Sequence, residues 1–186
     1  MFAVGCVLFL AITAVFAPWG FYLGGNFHIV PEWQGLGTLH AKSGNYVVYV
    51  RFQPRPSGSK VYPGPSVGGI GYLCSPRGEK FRMKLGGGMP RGIGKNTDGQ
   101  KINLYMYYWS TWSSFSVSHR PSIELQGRWK NPNVEMDDHG SIYRAFNPDG
   151  TVYQGGNSAK PYVGEVVPVT LVPGTYSDFE AACKKP

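Results

Sequence analysis

Residues that interrupt helices punctuate this chain so densely that short strands and turns are the main structures left to it. Its 186 residues include 26 glycines and 15 prolines, which in a helix interior cost about 1 and 3 kcal/mol per site relative to alanine. Disorder is excluded by the other side of the composition. A hydrophobic content of 42%, with 15% aromatic and only 16% charged residues, offers enough burial to offset the entropy of folding. The length suits one domain with a single core.

Between the turn signals lie short runs with strand character. Leu36 to Ala41 and Tyr46 to Gln53 flank Lys42-Ser43-Gly44-Asn45, and Gly69 to Cys74 and Lys80 to Leu85 flank Ser75-Pro76-Arg77-Gly78. Both connections carry the residues tight turns require. Further strands are predicted at Lys101 to Trp109, Ser122 to Trp129, Ile142 to Phe146, Thr151 to Gln154 and Glu165 to Leu171, with Asn147-Pro148-Asp149-Gly150 as the strongest turn signal. Nine short strands without intervening helices predict an all-β fold, an antiparallel sandwich or barrel. A short C-terminal helix follows, where Ser177 and Glu180 have capping-box spacing and Phe179, Ala182 and Cys183 face the core. The glycine intervals show no repeat.

The first 23 residues contain no charged side chain. As a helix they would extend about 34 Å, enough to cross a hydrocarbon layer of about 30 Å. Pro18, Trp19 and Tyr22 resemble an interfacial exit. The expected organisation is therefore a transmembrane anchor over 1–23, a connector over 24–35 and a β-rich domain over 36–186. A cleaved signal peptide and a buried core element are the alternatives; against the first, no basic residue precedes the apolar run and Pro18 follows the small-residue site at Ala17. No Lys or Arg occurs between Met1 and Ala41, so the positive-inside rule sets no orientation. A basic domain, at net charge +7, suits the cytoplasmic side. Cysteine usage points to export: beyond Cys6 only Cys74 and Cys183 remain, an even count that permits one disulfide in an oxidising compartment. Two buried thiols are the alternative. The expectation is a single-pass membrane protein whose β domain lies on the periplasmic or extracellular side.

Three constellations carry chemistry. Arg77, Lys80, Arg82, Lys84, Arg91 and Lys95 crowd a segment with one acid, Glu79. Within it, strand alternation places Lys80, Arg82 and Lys84 on one face and Phe81, Met83 and Leu85 on the other. Such a stripe meets membrane lipid, an anionic glycan or an acidic protein, or simply keeps a strand face soluble. Nucleic acid is the least expected partner for an exported domain. The second constellation is aromatic. Tyr105, Tyr107 and Trp109 share a strand face, with Trp112 and Phe115 following, and they either stack on sugar rings or build core. The third is Glu135-Met136-Asp137-Asp138-His139, which has metal-binding or acid/base residue types but also the composition of an ordinary loop.

Several short patterns lack their structural context. Gly64-Pro65-Ser66-Val67-Gly68 and Ser57-Gly58-Ser59-Lys60 spell catalytic serine motifs in a Pro-rich loop. Gly86-Gly87-Gly88 lacks the Gly-Lys-Ser/Thr of a phosphate loop, and Gly127-Arg128-Trp129 lies too late in the chain for a lipocalin signature. No nucleophile, base and orienter come together, and no cofactor is implied. The function expected is a membrane-anchored, non-catalytic accessory or binding subunit with a membrane-protein partner. An exported glycan- or envelope-binding module and an enzyme with an unrecognised site are the alternatives.

Overall fold

The computed structural model describes residues 4–8, 11–12, 18, 32–55, 66–89, 99–108, 122–153 and 165–184. Eight strands run in sequence order: β1 (Trp33–Ala41), β2 (Gly44–Arg55), β3 (Ser66–Cys74), β4 (Lys80–Gly88), β5 (Lys101–Tyr108), β6 (Ser122–Lys130), β7 (Asn133–Asp138) and β8 (Val167–Pro173). Each pairs antiparallel with the next, and β8 returns to β1 through Gly35–Pro173 and Leu36–Val172. The result is one closed up-and-down barrel, an architecture that removes open sheet edges. Among the described residues, two short helices flank the barrel strands, α1 (Ser141–Ala145) and α2 (Tyr176–Cys183).

Period-two alternation explains the barrel wall. On β2, Tyr46, Val48, Val50 and Phe52 are buried inward. On β5, Ile102, Leu104 and Met106 do the same, and on β6 Ile123 and Leu125. An eight-stranded barrel is just wide enough for its side chains to fill. Here the filling includes Trp33, Phe52 and Trp129 towards one end and Tyr46 and Phe146 towards the other. Charged side chains take exposed outward positions, among them Arg51 on β2, Lys80, Arg82 and Lys84 on β4, Lys101 on β5 and Glu135 on β7. This polarity is the reverse of a membrane-spanning barrel, whose outer band is apolar.

A second apolar cluster lies outside the barrel. Phe179 and Cys183 of α2 cover Tyr49 and Cys74, with Leu36, Val47 and Tyr72 packed around them. Outward positions on β1 to β3 are thus apolar where the helix covers them. The capping box of α2 uses Thr175 and Asp178, two residues before the pair expected from the sequence. Phe179 and Cys183 are buried, whereas Ala182 is only half-buried.

Several expectations need correction. Of the two expected architectures, sandwich or barrel, the chain forms the barrel, with eight strands where nine were expected. Ile142 to Phe146 is mostly the helix α1, because Asp138 caps its first turn and the segment packs on β6 instead of pairing along its length. Among the described residues of the strand expected at 151–154, which end at 153, one isolated bridge, Phe146–Val152, stands in its place. Conversely, β7 occupies Asn133–Asp138, with Val134 and Met136 inward, where acidic residues had suggested a loop. The first strand also starts at Trp33, inside the expected connector. The anchor expected over 1–23 falls largely outside the described residues. Residues 4–8 and 11–12 are helical, and no helix among the described residues is long and apolar enough to cross a membrane.

Candidate functional site

Strand β4 carries the basic stripe on the outside of the barrel. Lys80, Arg82 and Lys84 are exposed, Met83 and Leu85 are buried, and Phe81 is half-buried, its ring edge-on to Phe146 at 5.6 Å. Pairing then sets the neighbours of each cation. Tyr72 lies opposite Arg82 and Ile70 opposite Lys84 on β3, while Tyr107 lies opposite Lys84 and Tyr105 opposite Gly86 on β5.

The aromatic row therefore adjoins the basic one. Tyr105 and Tyr107 are 44% and 40% exposed, so they face solvent, and the inward face of β5 is built by Ile102, Leu104 and Met106. Lys84 Nζ lies 5.9 Å from the centroid of the Tyr107 ring, within reach of the ring's negative face. Ile70 adds an exposed apolar side chain to the same cross-strand row. Beyond the tyrosines, Ser122 and Glu124 of β6 continue the wall, and Gln126 Nε2 donates to Glu124 Oε1 at 2.8 Å.

Two of the basic residues have other engagements. Lys80 forms an ion pair of 3.3 Å with Glu180 on α2, tying the stripe to the helix. Arg77 sits in the β3–β4 turn at the barrel end, where Ser75 Oγ accepts from the backbone N–H groups of Arg77 and Glu79. The turn approaches Gly150, and the guanidinium helps hold the Asp149 carboxyl below its ordinary range, after the larger effect of hydrogen bonds from Thr151. Arg77 thus stands apart from the β4–β5 wall. Arg91, Lys95, Trp109 and Trp112 lie outside the described residues.

The acidic segment is split by the alternation of β7. Glu135 is exposed, whereas Asp138 is fully buried. Asp138 Oδ1 accepts from Ser141 N at 3.1 Å and from Ser141 Oγ, and Oδ2 accepts from Ile142 N at 3.1 Å. Ser141 Oγ in turn accepts from Glu124 N at 2.8 Å. Burial pushes the Asp138 carboxyl upward, opposed by these hydrogen bonds. The arrangement holds the first turn of α1 against β6 and leaves both carboxylate oxygens occupied by the cap. Among the described residues, no group of three or more His, Cys, Asp or Glu side chains is placed to hold a metal ion.

Cys74 and Cys183 are joined by a disulfide, with α-carbons 5.8 Å apart and 109 positions separating them in the chain. The bond clamps the end of α2 to β3 beside the aromatic cluster of Tyr49, Tyr72, Tyr176 and Phe179. Trp129 of the Gly127-Arg128-Trp129 run packs inside the barrel, edge-on to Trp33 at 6.3 Å.

Reading strands singly missed Ile70 and the glycines of β4 as neighbours of the tyrosines. The available signal was the alternation itself, which places Ile70, Gly86, Tyr105 and Tyr107 on outward faces once the strands are paired. Comparison with protein-family models, with curated proteins and with solved structures gives no match.

Proposed function

We propose that this chain is a non-catalytic binding module, tethered at a membrane by its uncharged first 23 residues, that holds an anionic partner on the outer wall formed by β4 and β5. The observation that carries this reading is the adjacency of two rows: Arg82 and Lys84 on one strand, Tyr105 and Tyr107 on the next. Cations beside exposed aromatic surface supply attraction and contact area together.

Other features support a binding role. Large apolar side chains line the barrel interior, and of the four buried polar residues among the described ones, Ser75, Gln100, Asp138 and Ser141, Ser75 serves a turn and Asp138 and Ser141 a helix cap. The Cys74–Cys183 bond suits an oxidising compartment, hence a β domain on the exported side.

Two measurements test the proposal. The full chain, expressed in membranes, is expected to stay in the pellet after carbonate extraction with its leader intact by mass. Release, or a mature N-terminus near Pro18, would refute the tether. Retention of the purified chain on an anionic matrix is expected to fall when Arg82 and Lys84 are both changed to Glu. Equal retention at low salt would refute the binding wall.

A further inference from the structure

Most glycines in the barrel strands answer to an internal need. A Cβ on Gly69 would lie 2.0 Å from Arg51 O, one on Gly127 1.9 Å from Glu135 O, and one on Gly71 2.5 Å from Met106 Cε. Gly87 has φ 157° and would place a Cβ 2.0 Å from Asn103 O. No side chain fits these positions without displacement.

Gly86 and Gly88 are different. Both occupy outward positions of β4 and neither has a positive φ. Among the described residues, a Cβ on Gly88 would meet nothing within 4 Å, and one on Gly86 would meet only Tyr107 Cε1, at 3.9 Å, an ordinary contact. Glycine inside a strand lowers stability relative to a residue with a side chain, and it marks a bulge, a bend at a barrel corner or a place where a ligand or another backbone comes close. Among the described residues the two glycines leave a recess floored by bare backbone, with the buried Gly68 of β3 beside Gly86. Tyr105 stands directly across from Gly86, and Lys84 and Tyr107 close one end, with Arg82 beyond. Successive outward positions are spaced about 7 Å along a strand, so the floor and its cationic end form a trough that suits a short run of rings.

We infer that this trough seats the sugar rings of an anionic glycan, an assignment that rests on the reading of the β4–β5 wall as the binding surface. A pyranose is thin enough to lie on a glycine floor, its C–H face packs against a tyrosine ring, and an attached carboxylate, sulfate or phosphate meets Lys84 and Arg82. A bilayer surface or a flat acidic protein face touches what protrudes, so it has no use for a recess. Charge and shape together select the glycan.

Titration calorimetry on the purified full chain tests this with short uronate, sulfated and phosphorylated oligosaccharides, a neutral oligosaccharide of equal length, and phosphatidylcholine vesicles containing phosphatidylglycerol. At least one acidic oligosaccharide is expected to bind, more weakly as salt rises, and the neutral one is not. Gly86→Thr and Gly88→Thr fill the floor with a side chain that strands favour. Each is expected to weaken glycan binding about ten-fold, on the scale of losing one well-packed contact, without lowering Tm. Tyr105→Ala is expected to do the same. Unchanged binding in both glycine variants, or equal binding of the neutral sugar, would overturn the trough. Failure of all three acidic oligosaccharides, with vesicle binding that Arg82→Glu/Lys84→Glu abolishes, would overturn the glycan and leave the ionic wall standing. If charge reversal changes nothing for any probe, the wall itself falls.

Discussion

Lys84 and Tyr107 face each other across the β4–β5 pairing, with the ammonium nitrogen 5.9 Å from the ring centroid. The contact joins a row of cations to a row of phenols that the whole β4–β5 connection separates along the chain. It is a tertiary product: neither strand carries both features.

Reversing the charge of Lys80, Arg82 and Lys84 together is expected to leave the fold intact. All three are exposed, and exposed substitutions usually stay within about 0.5 kcal/mol each. Lys80 loses its partner Glu180, an exposed pair of the kind worth about 0–1 kcal/mol. Thermal unfolding should therefore shift little, while attraction to anionic surfaces and its salt sensitivity are lost. A collapse in Tm would show that these positions are structural.

Removal of the Cys74–Cys183 bond should act on both α2 and the whole barrel. A closed loop of about this size stabilises by up to about 4 to 5 kcal/mol in the chain-entropy model, with smaller gains common in practice. Cys74→Ser and Cys183→Ser are each expected to lower Tm, and the double variant by no more than the larger of the two, because both remove one bond. Chemical denaturation with and without reductant checks this; additive losses would contradict it.

Asp138 is expected to be the most sensitive acidic position on β7. Asp138→Asn keeps one acceptor but turns an amide donor towards one of the two N–H groups, of Ser141 or of Ile142, that the carboxylate accepts from, at a cost of about 1–3 kcal/mol. The folded carboxyl titrates above its ordinary range because it is buried. Its contribution to stability is thus greatest below that range and declines as pH rises through the folded value. The gap between wild type and the Asn variant should narrow over the same interval in denaturation measured across pH. A pH-independent gap would show that the carboxyl is not shifted upward.

The cap of α2 has the opposite sign. Hydrogen bonds from Thr175 hold the Asp178 carboxyl below its ordinary range, so its stabilising effect is present above that range and fades as pH falls through the folded value. Hydrogen exchange of the α2 amides is expected to accelerate in acid in the wild type, and Asp178→Asn should show faster exchange already at neutral pH. Equal protection in the two chains at neutral pH would remove the cap from the account.

Much of the barrel was legible residue by residue. Alternation in Lys80 to Leu85 shows which side chains face out, and Lys42 to Asn45 and Ser75 to Gly78 show where the chain reverses, because side-chain direction and turn conformation are local properties of a strand. Val134, Glu135, Met136 and Asp137 carry the same alternation, yet their acids mimic a loop; pairing with β6 and β8 outweighs that low propensity. Ile142 to Phe146 fails in the other direction. Its five residues admit either structure, and the Asp138 carboxylate together with packing on β6 makes them a helix. Closure of β8 onto β1, the meeting of Lys84 with Tyr107 and the open floor at Gly86 depend on which strands become neighbours. That choice is made by burial of the whole inner face at once, so no single stretch of the chain contains it.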